Sequence, residues 1–233
     1  MRQHRTLWLQ IGIVVLCLTA NWNFVTNFPF PSPLIKPFLP PKLRWPGEQI
    51  VQWQQAKNYE PGFLNYFNRD PERVVPSGDN LVSPSDGVIK DIILKHNTTY
   101  YVVGLSFWDV HVVRTPVSGV VKNIEREGLV LSRKSETENQ VYLDGKDGPV
   151  QAVVTIGSDH GDIKVRMITS YFVSRLKVTV HVGDRLEKGA RIGRILLGSS
   201  VVVEIPGEVK LSVRTGARVV GGETVILEEK SLI

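Results

Sequence analysis

The chain has 233 residues, of which 42% are hydrophobic and 22% are charged. This length allows one large domain or two small ones, and the composition excludes disordered, collagen-like and coiled-coil classes. A single cysteine, Cys17, excludes an intrachain disulfide framework and a multi-cysteine zinc site. The net charge of +5 favours an anionic partner, either a membrane surface or nucleic acid.

The N-terminus carries a candidate membrane anchor, residues 1–27. A basic start precedes the apolar run from Leu7 to Ala20, and Trp8 and Trp22 flank that run as interfacial anchors do. A cleavable signal peptide is the alternative, but Leu18-Thr19-Ala20 is a poor small-residue cleavage site. We therefore expect a retained anchor, either spanning or half-inserted, and a location at the cell membrane, anchored or peripheral.

The next segment, residues 28–46, contains seven prolines and no glycine. Because proline fixes φ and removes a backbone donor, we expect an extended linker there rather than a helix. Residues 47–233 would then form the functional domain, starting with helix-like spacing between Glu48 and Tyr66.

Beyond Asp70-Pro71 the pattern becomes one of short β-branched runs bounded by turn residues. Four runs predict strands: Tyr100 to Leu105, Val110 to Val113, Val117 to Val121 and Val150 to Ile156. One later stretch, Lys164 to Leu176, has the spacing of a half-buried helix.

Two internal repeats indicate the architecture. Residues 83–92 align with residues 115–124, and residues 178–189 align with residues 211–222. We therefore expect a mainly β (α+β) fold with few helices, a lipoyl/biotinyl-like interlocked β-sandwich. A carrier function would need a modifiable lysine at a hairpin tip, and the candidate, Lys188, lacks the flanking residues of such tips.

The sequence Gly198-Ser199-Ser200 lies between two hydrophobic runs. A serine hydroxyl can attack the carbonyl carbon of the preceding residue, and a glycine at that position leaves the carbonyl unshielded. A β-bulge or hairpin turn explains the same three residues when they are considered alone.

From Tyr66 to Leu227 the chain resembles the phosphatidylserine decarboxylase family. Four motifs carry the resemblance in the family's order: Phe67 to Pro76, Ser83 to Gly87, Phe107 to Gly119 and Gly193 to Ser200. The chain is most similar to the short bacterial and archaeal branch, which acts on phosphatidylserine or its archaeal ether-lipid counterpart.

The resemblance implies self-cleavage between Gly198 and Ser199, giving residues 1–198 and 199–233 as a heterodimer of fragments. It further implies that Ser199 becomes a covalent pyruvoyl group, that the substrate is an anionic serine phospholipid, and that no metal is required. After decarboxylation the product would be phosphatidylethanolamine or a close relative.

The resemblance also assigns roles to His111 and Asp86. His111 would donate the proton that replaces carbon dioxide, and an ordinary histidine titrates close to physiological pH, which suits an acid. It follows Asp109 by two residues in a predicted strand, so we expect both side chains on one face. Asp86 would assist self-cleavage, but its repeat partner is Ser118, so a turn-forming role remains equally open.

Other assignments stay open. Longer family members have a second histidine where this chain has Arg114, so the resemblance does not imply a complete Asp-His-Ser relay. Arg69, Asp70 and Arg73 could hold a lipid headgroup, but we expect them to pair with one another on an exposed turn.

Two alternatives to a lipid decarboxylase remain. One is a non-enzymatic, membrane-tethered adaptor with a lipoyl-like β-domain, and the other is a relative that self-cleaves but uses a different amino substrate. Nucleic acid is not an expected partner, because the basic residues are dispersed and no aromatic-basic platform occurs.

Overall fold

The computed structural model describes residues 2–27, 35–127, 150–169, 175–196 and 199–228. The chain divides into two compact units, Met1–Phe63 and Leu64–Ile233. Helices dominate the first unit and β-strands dominate the second. The predicted mainly β fold with few helices is therefore confirmed.

The helices are α1 (Arg2–Asn27), α2 (Pro41–Arg44), α3 (Gly47–Ala56) and α4 (Pro61–Phe67), with a 3-10 turn at Lys36–Phe38. No helix in the described part of the chain has both the length and the apolar character needed to cross a membrane. The anchor therefore stays a prediction.

The proline-rich segment is only partly as expected. Residues 28–34 lie outside the described residues, but Lys36–Phe38 and Pro41–Arg44 are helical turns rather than extended chain. Both turns have a proline in their first two positions, where the missing N–H would have no helical partner anyway.

The helix expected between Glu48 and Tyr66 is present as two helices, α3 and α4. The first ends at Ala56 and is capped by Lys57, which adopts a left-handed conformation with φ of 53°, and Pro61 begins the second. Within the first unit, Ile50, Trp45 and Phe63 are buried, and the rings of Trp45 and Phe63 meet edge to face with centroids 5.9 Å apart.

The described part of the second unit contains thirteen strands. They are β1 (Leu81–Val82), β2 (Gly87–Lys95), β3 (Thr98–Leu105), β4 (Val112–Arg114), β5 (Gly119–Glu127), β6 (Gln151–Ser158), β7 (Gly161–Thr169), β8 (Arg175–Val178), β9 (Arg185–Leu186), β10 (Arg191–Leu196), β11 (Ser199–Pro206), β12 (Arg218–Val219) and β13 (Val225–Leu227). The four strands predicted from β-branched runs correspond to β3, β4, β5 and β6.

The strands form three antiparallel sheets. The largest has eight strands in the order β12-β2-β3-β11-β7-β6-β5-β9, and smaller sheets have the orders β4-β10-β8 and β1-β13. Inward-facing side chains of neighbouring strands, such as Val103, Val154, Val165 and Val201, form one hydrophobic core.

The internal repeat is visible as approximate two-fold symmetry of strand pairing. The large sheet divides into two halves of four strands each. Counted from the edge strand to the centre, the halves have the orders β12-β2-β3-β11 and β9-β5-β6-β7. Val88 pairs with Arg218 in one half, and Val120 pairs with Arg185 in the other. The repeated sequences therefore occupy equivalent places in the two halves of one sheet.

The helix predicted between Lys164 and Leu176 is wrong. Strand β7 covers residues up to Thr169 and β8 starts at Arg175, whereas residues 170–174 lie outside the described residues. In β7 the buried side chains of Ile163, Val165 and Met167 alternate with exposed or half-buried ones, which is the period of a strand.

Candidate active site

Ser199 begins β11, the strand at the centre of the large sheet. It lies opposite Leu105 at the end of β3 and opposite Thr169 at the end of β7. Hydrogen bonding to a strand on each side fixes the backbone of β11 from its first residue. Gly198, the other residue of the predicted cleavage site, lies outside the described residues.

The loop that carries His111 contacts the chain on both sides of the predicted cleavage site. It leaves β3 at Leu105, directly opposite Ser199. At its other end, the backbone N–H of Ile195 on β10 donates to the carbonyl of His111 over 3.1 Å. The strand before the Gly198-Ser199 bond and the strand after it are thus both held against residues 105–111.

His111 is completely buried, with an exposed fraction of 0%. Its Nδ1 lies 3.0 Å from the backbone oxygen of Asp109, and because a carbonyl only accepts, Nδ1 must carry the hydrogen. The Phe67 ring packs on the imidazole with centroids 4.2 Å apart. Nε2 is left with its lone pair, buried and without a hydrogen-bond partner among the described residues.

Burial lowers the pKa of His111 from 6.5 to about 4, because the charged imidazolium loses its hydration. The hydrogen bond to the Asp109 carbonyl opposes this shift, and the positive charges of Arg69 and Arg194 add to it. The expectation of ordinary titration near neutrality is therefore wrong. At physiological pH the side chain is a neutral imidazole whose Nε2 carries a lone pair.

The carboxylate of Asp109 is bound by groups other than the imidazole. It accepts hydrogen bonds from the backbone N–H and the hydroxyl of Ser106, at 2.7 and 2.6 Å, and forms an ion pair with Arg218. The expected strand alternation does not apply at this point, because β4 starts only at Val112. Asp109 orients His111 through its backbone carbonyl instead.

Asp86 lies just before β2, and Ser199 lies at the same end of the strands, where β11 begins. Val88 and Ser200 are both paired with Gly104, from opposite sides, so the two strands are about 10 Å apart. The Asp86 carboxylate binds the Arg73 guanidinium at 2.9 Å and accepts from the Gly221 N–H at 2.9 Å.

The repeat provides an internal comparison for Asp86. Its partner Ser118 accepts a hydrogen bond of 2.9 Å from the N–H of Lys188, the residue equivalent to Gly221. Both side chains therefore hold the same turn of the downstream repeat, although Asp86 does not bond its own backbone as an Asx turn would. The Arg73 ion pair occurs in one half alone and has no counterpart at Ser118.

Comparison with known proteins identifies the family. A model of the family described as "Phosphatidylserine decarboxylase" matches residues 62–227, more than half of the chain. The chain belongs to the phosphatidylserine decarboxylase family.

Individual relatives agree with this assignment. A phosphatidylserine decarboxylase proenzyme of Solibacter usitatus is 34% identical over 72% of this chain and 81% of its own length. Another, of Carboxydothermus hydrogenoformans, is 35% identical over 70% of this chain and 78% of its own length. A protein of Methanococcoides burtonii, provisionally named an archaetidylserine decarboxylase proenzyme, is 33% identical over 72% of this chain and 76% of its own length. No solved structure matches significantly.

In this decarboxylase, Arg114 joins separate segments of the chain through its hydrogen bonds. The guanidinium is buried and donates to Asp70 at 2.8 Å and to the Gly189 carbonyl at 3.0 Å. Burial lowers its pKa, and Asp70 counteracts that effect. An arginine held in this way remains a cation and cannot replace a histidine as a base.

Arg69, Asp70 and Arg73 do not pair with one another, so that expectation is wrong. Asp70 binds Arg114 and also Arg191, at 2.5 Å, whereas Arg73 binds Asp86. All three side chains are half-buried rather than exposed. The segment therefore connects distant strands through its charges.

Lys188 is unsuited to carry a prosthetic group. Its ammonium donates to the Gly78 carbonyl and to the Asn80 side chain, both at 2.7 Å. Because these bonds hold the side chain against the protein, the structure disfavours the carrier function as the sequence did.

Three neighbours of His111 were missed by the sequence analysis: Phe67, Arg194 and, through Asp109, Arg218. Phe67 and Arg194 belong to motifs that carry the family resemblance, which was the available signal for them. Their proximity to His111 depends on strand pairing over long sequence distances, which spacing does not predict.

Proposed function

We propose that the chain cleaves itself between Gly198 and Ser199 and then decarboxylates phosphatidylserine, or its ether-lipid counterpart, to the ethanolamine phospholipid. The observation that carries this is the position of the junction, flanked by β10 and β11 and held on both sides by the loop with His111. The names of the relatives support both the substrate and the processing.

Self-cleavage begins with attack of the Ser199 hydroxyl on the Gly198 carbonyl carbon. The hydroxyl loses its proton, the peptide nitrogen of Ser199 gains one, and the amide becomes an ester. Removal of the Ser199 α-proton then expels the Gly198 carboxylate and leaves dehydroalanine, which water converts to pyruvoyl with release of ammonia. The attack of the hydroxyl and the removal of the α-proton each need a base that is unprotonated at physiological pH.

His111 is the proposed base. Its Nε2 is buried, unprotonated and without a partner among the described residues, whereas the Asp86 and Asp109 carboxylates are both bound to arginines. Arg114 is unable to accept a proton. His111 therefore takes the role that a second histidine has in longer family members.

A pyruvoyl group fits this location. It would be residue 199 itself, at the start of a strand that is paired on both sides, with the unpartnered Nε2 of a buried histidine on the adjoining loop. When present, this carbonyl group supplies an electron sink for the pair released as carbon dioxide leaves.

His111 also handles protons during decarboxylation. Its neutral form would accept a proton at Nε2, while Asp109 keeps the ring oriented through Nδ1. With a pKa of about 4, the protonated form is a strong acid that returns the proton to the substrate α-carbon.

Asp86 is a proposed positioning residue for self-cleavage. Its distance from β11, two strand spacings, argues against direct proton transfer with Ser199. Its side chain binds Arg73, in the N-terminal segment of this unit, and also the N–H of Gly221. These two bonds hold the start of β2, which lies at the same end of the strands as Ser199.

The two fragments are expected to remain together as a heterodimer. Strands β11, β12 and β13 belong to the C-terminal fragment, and they pair with β3, β7, β2 and β1 of the other fragment. Val201, Val202 and Val203 are completely buried, so separation would expose much apolar surface.

A membrane location suits a phospholipid substrate. Along α1 the apolar side chains are exposed, including Leu9 at 67%, Trp8 at 70% and Trp22 at 64%. Exposed apolar surface of this extent favours insertion into a lipid interface, and the net charge of +5 attracts anionic lipid.

The finer fold assignment, a lipoyl/biotinyl-like interlocked β-sandwich, is supported by the two-fold order of the large sheet. We expect an experimental structure of the second unit to superpose on a biotinyl carrier domain with the repeats in equivalent halves. Superposition of one half alone would contradict the assignment.

The experiment is decarboxylation of phosphatidylserine in detergent micelles by the purified chain, its Ser199→Ala variant and a Ser200→Ala control. We expect the unmodified chain and the control to release carbon dioxide and form phosphatidylethanolamine, and Ser199→Ala to do neither, because it lacks the attacking oxygen. Equal activity of Ser199→Ala would overturn the proposal.

A further inference from the structure

The arginines of the second unit differ in what they bind. Among its described side chains, five arginines are buried or half-buried. Three of them form ion pairs with carboxylates: Arg73, Arg114 and Arg166. The other two, Arg69 and Arg194, form no ion pair with any described residue and donate only to uncharged oxygens.

These two arginines contact or pair with residues that precede and follow His111 in the sequence. Arg69 donates to the Trp108 carbonyl at 2.5 Å, three residues before the histidine. Arg194 is paired in register with Val112, the residue after it, and donates to the Asn68 carbonyl at 2.8 Å. Their positive charges act on His111, since both lower its pKa.

Two half-buried cations without a counter-ion are costly, because each has lost hydration without gaining a carboxylate. Every other buried or half-buried arginine of this unit with a described side chain avoids that cost by ion pairing. An anion that enters with the substrate would supply the missing charge, and guanidinium groups bind phosphate oxygens well.

A serine phospholipid brings two anionic groups, a carboxylate and a phosphodiester. The carboxylate leaves as carbon dioxide, so strong cationic binding there would stabilise the substrate relative to the transition state. The phosphodiester keeps its charge throughout the reaction. Binding at the phosphodiester therefore provides affinity without slowing the chemical step.

We propose that Arg69 and Arg194 together bind the phosphodiester of the serine phospholipid beside His111. This rests on the proposed decarboxylase function and adds the residues that recognise the headgroup. Tyr66 supports the site, because the Arg69 guanidinium lies 3.8 Å from its ring centroid and is thereby held in place.

The experiment compares the variants Arg69→Gln and Arg194→Gln with the control Arg214→Gln. The control also removes one positive charge, but Arg214 is exposed and forms no ion pair with any described residue. Two substrates are used: phosphatidylserine in neutral detergent micelles, and soluble glycerophosphoserine without any lipid. We expect KM for both substrates to rise about 10–100-fold in the two test variants, as the loss of a charge-assisted hydrogen bond predicts. Self-cleavage should still occur, and the rise in KM should exceed any change in kcat, although loss of either positive charge also raises the pKa of His111.

Two further measurements keep the test decisive if a glutamine variant fails to mature. Arg194→Lys retains the charge and should restore part of the affinity. In the unmodified enzyme, glycerophosphate should compete with glycerophosphoserine, and inorganic phosphate should compete more weakly if the site recognises a phosphate ester.

Unchanged KM in both variants, or an equal rise in Arg214→Gln, would overturn the inference. A rise with micelles but not with glycerophosphoserine would also overturn it, because membrane attraction would then be the cause. These outcomes presuppose an unmodified chain that cleaves itself and releases carbon dioxide, and failure of that chain would instead overturn the proposed function.

Discussion

His111 shows how burial decides the chemistry of a single residue. Ordinary imidazole is partly charged near neutral pH, but here the pKa is lowered to about 4 by the loss of hydration. The bond from Nδ1 to the Asp109 carbonyl fixes the tautomer and leaves Nε2 as a base. One neutral histidine can thus accept a proton and later act as a strong acid.

The same pKa makes stability depend on pH. Because the folded state binds the His111 proton only near pH 4 and the unfolded state binds it near pH 6.5, stability is lost as pH falls between these values. In the Ser199→Ala background, which keeps the chain in one piece, we expect His111 to account for about 2–3 kcal/mol of lost stability between pH 7 and pH 4.5. Urea unfolding at the two pH values measures this loss. A His111→Gln change in that background should reduce the loss by the same amount, and an unchanged loss would show that His111 is not buried as described.

His111→Gln should slow both reactions in which Nε2 moves a proton. We expect self-cleavage to be slower by about 10²–10⁴-fold, and turnover per cleaved chain to fall by a similar factor, because glutamine neither accepts nor returns a proton. Gel analysis over time gives the first rate, and carbon dioxide release divided by the cleaved fraction gives the second. His160→Gln is a suitable control, since that histidine pairs with Asp79 rather than with the site. Normal maturation of His111→Gln would remove the self-cleavage role, and normal turnover would remove the decarboxylation role.

At the scale of elements, local sequence predicted several strands correctly, but it did not predict which strands pair with one another. Runs such as Tyr100 to Leu105 are β-branched and bounded by turns, so local sequence sufficed to predict β3. The stretch from Lys164 was mistaken for a helix because its apolar residues after Ile168 cluster, although Ile163, Val165 and Met167 alternate as in a strand.

The candidate site divides in the same way. Ser199 and His111 were chosen through the motifs that carry the family resemblance, because a turn or bulge explains Gly198-Ser199-Ser200 when it is considered alone. The Arg114–Asp70 and Arg194–Asn68 contacts join residues 44 and 126 positions apart, so no periodicity contains them. The pKa of His111 was missed because burial depends on the packing of several segments, including Phe67.

The two turns held by Asp86 and Ser118 allow the repeat to be tested. Each side chain accepts a hydrogen bond from an equivalent backbone N–H, that of Gly221 or Lys188. We expect Ser118→Ala to lower the free energy of unfolding by about 1 kcal/mol, and Asp86→Ala to lower it by more because Arg73 also loses its partner. Asp86→Ser should lie between Asp86→Ala and the unmodified chain, since serine keeps the bond to the N–H. Urea unfolding in the Ser199→Ala background provides the values, and equal stability of Asp86→Ser and Asp86→Ala would contradict the shared role.

For the whole molecule, the position of the proposed cleavage site beside the central strand of the sheet is the decisive feature. Cutting before β11 leaves a C-terminal fragment of 35 residues whose first strand is paired with β3 and β7. The ion pair between Asp109 and Arg218 also joins the two fragments. Cleavage at this position would therefore leave the two fragments joined by strand pairing and by this ion pair.

Denaturing mass spectrometry of the purified chain tests self-cleavage at Ser199 most directly. We expect two species, residues 1–198 and residues 199–233, with the second lighter than a serine-ended fragment by the mass of ammonia and reactive toward a carbonyl reagent. Ser199→Ala should give only the intact chain of 26.1 kDa. If the unmodified chain is intact and does not react with the carbonyl reagent, this result would contradict the account and favour the membrane-tethered adaptor.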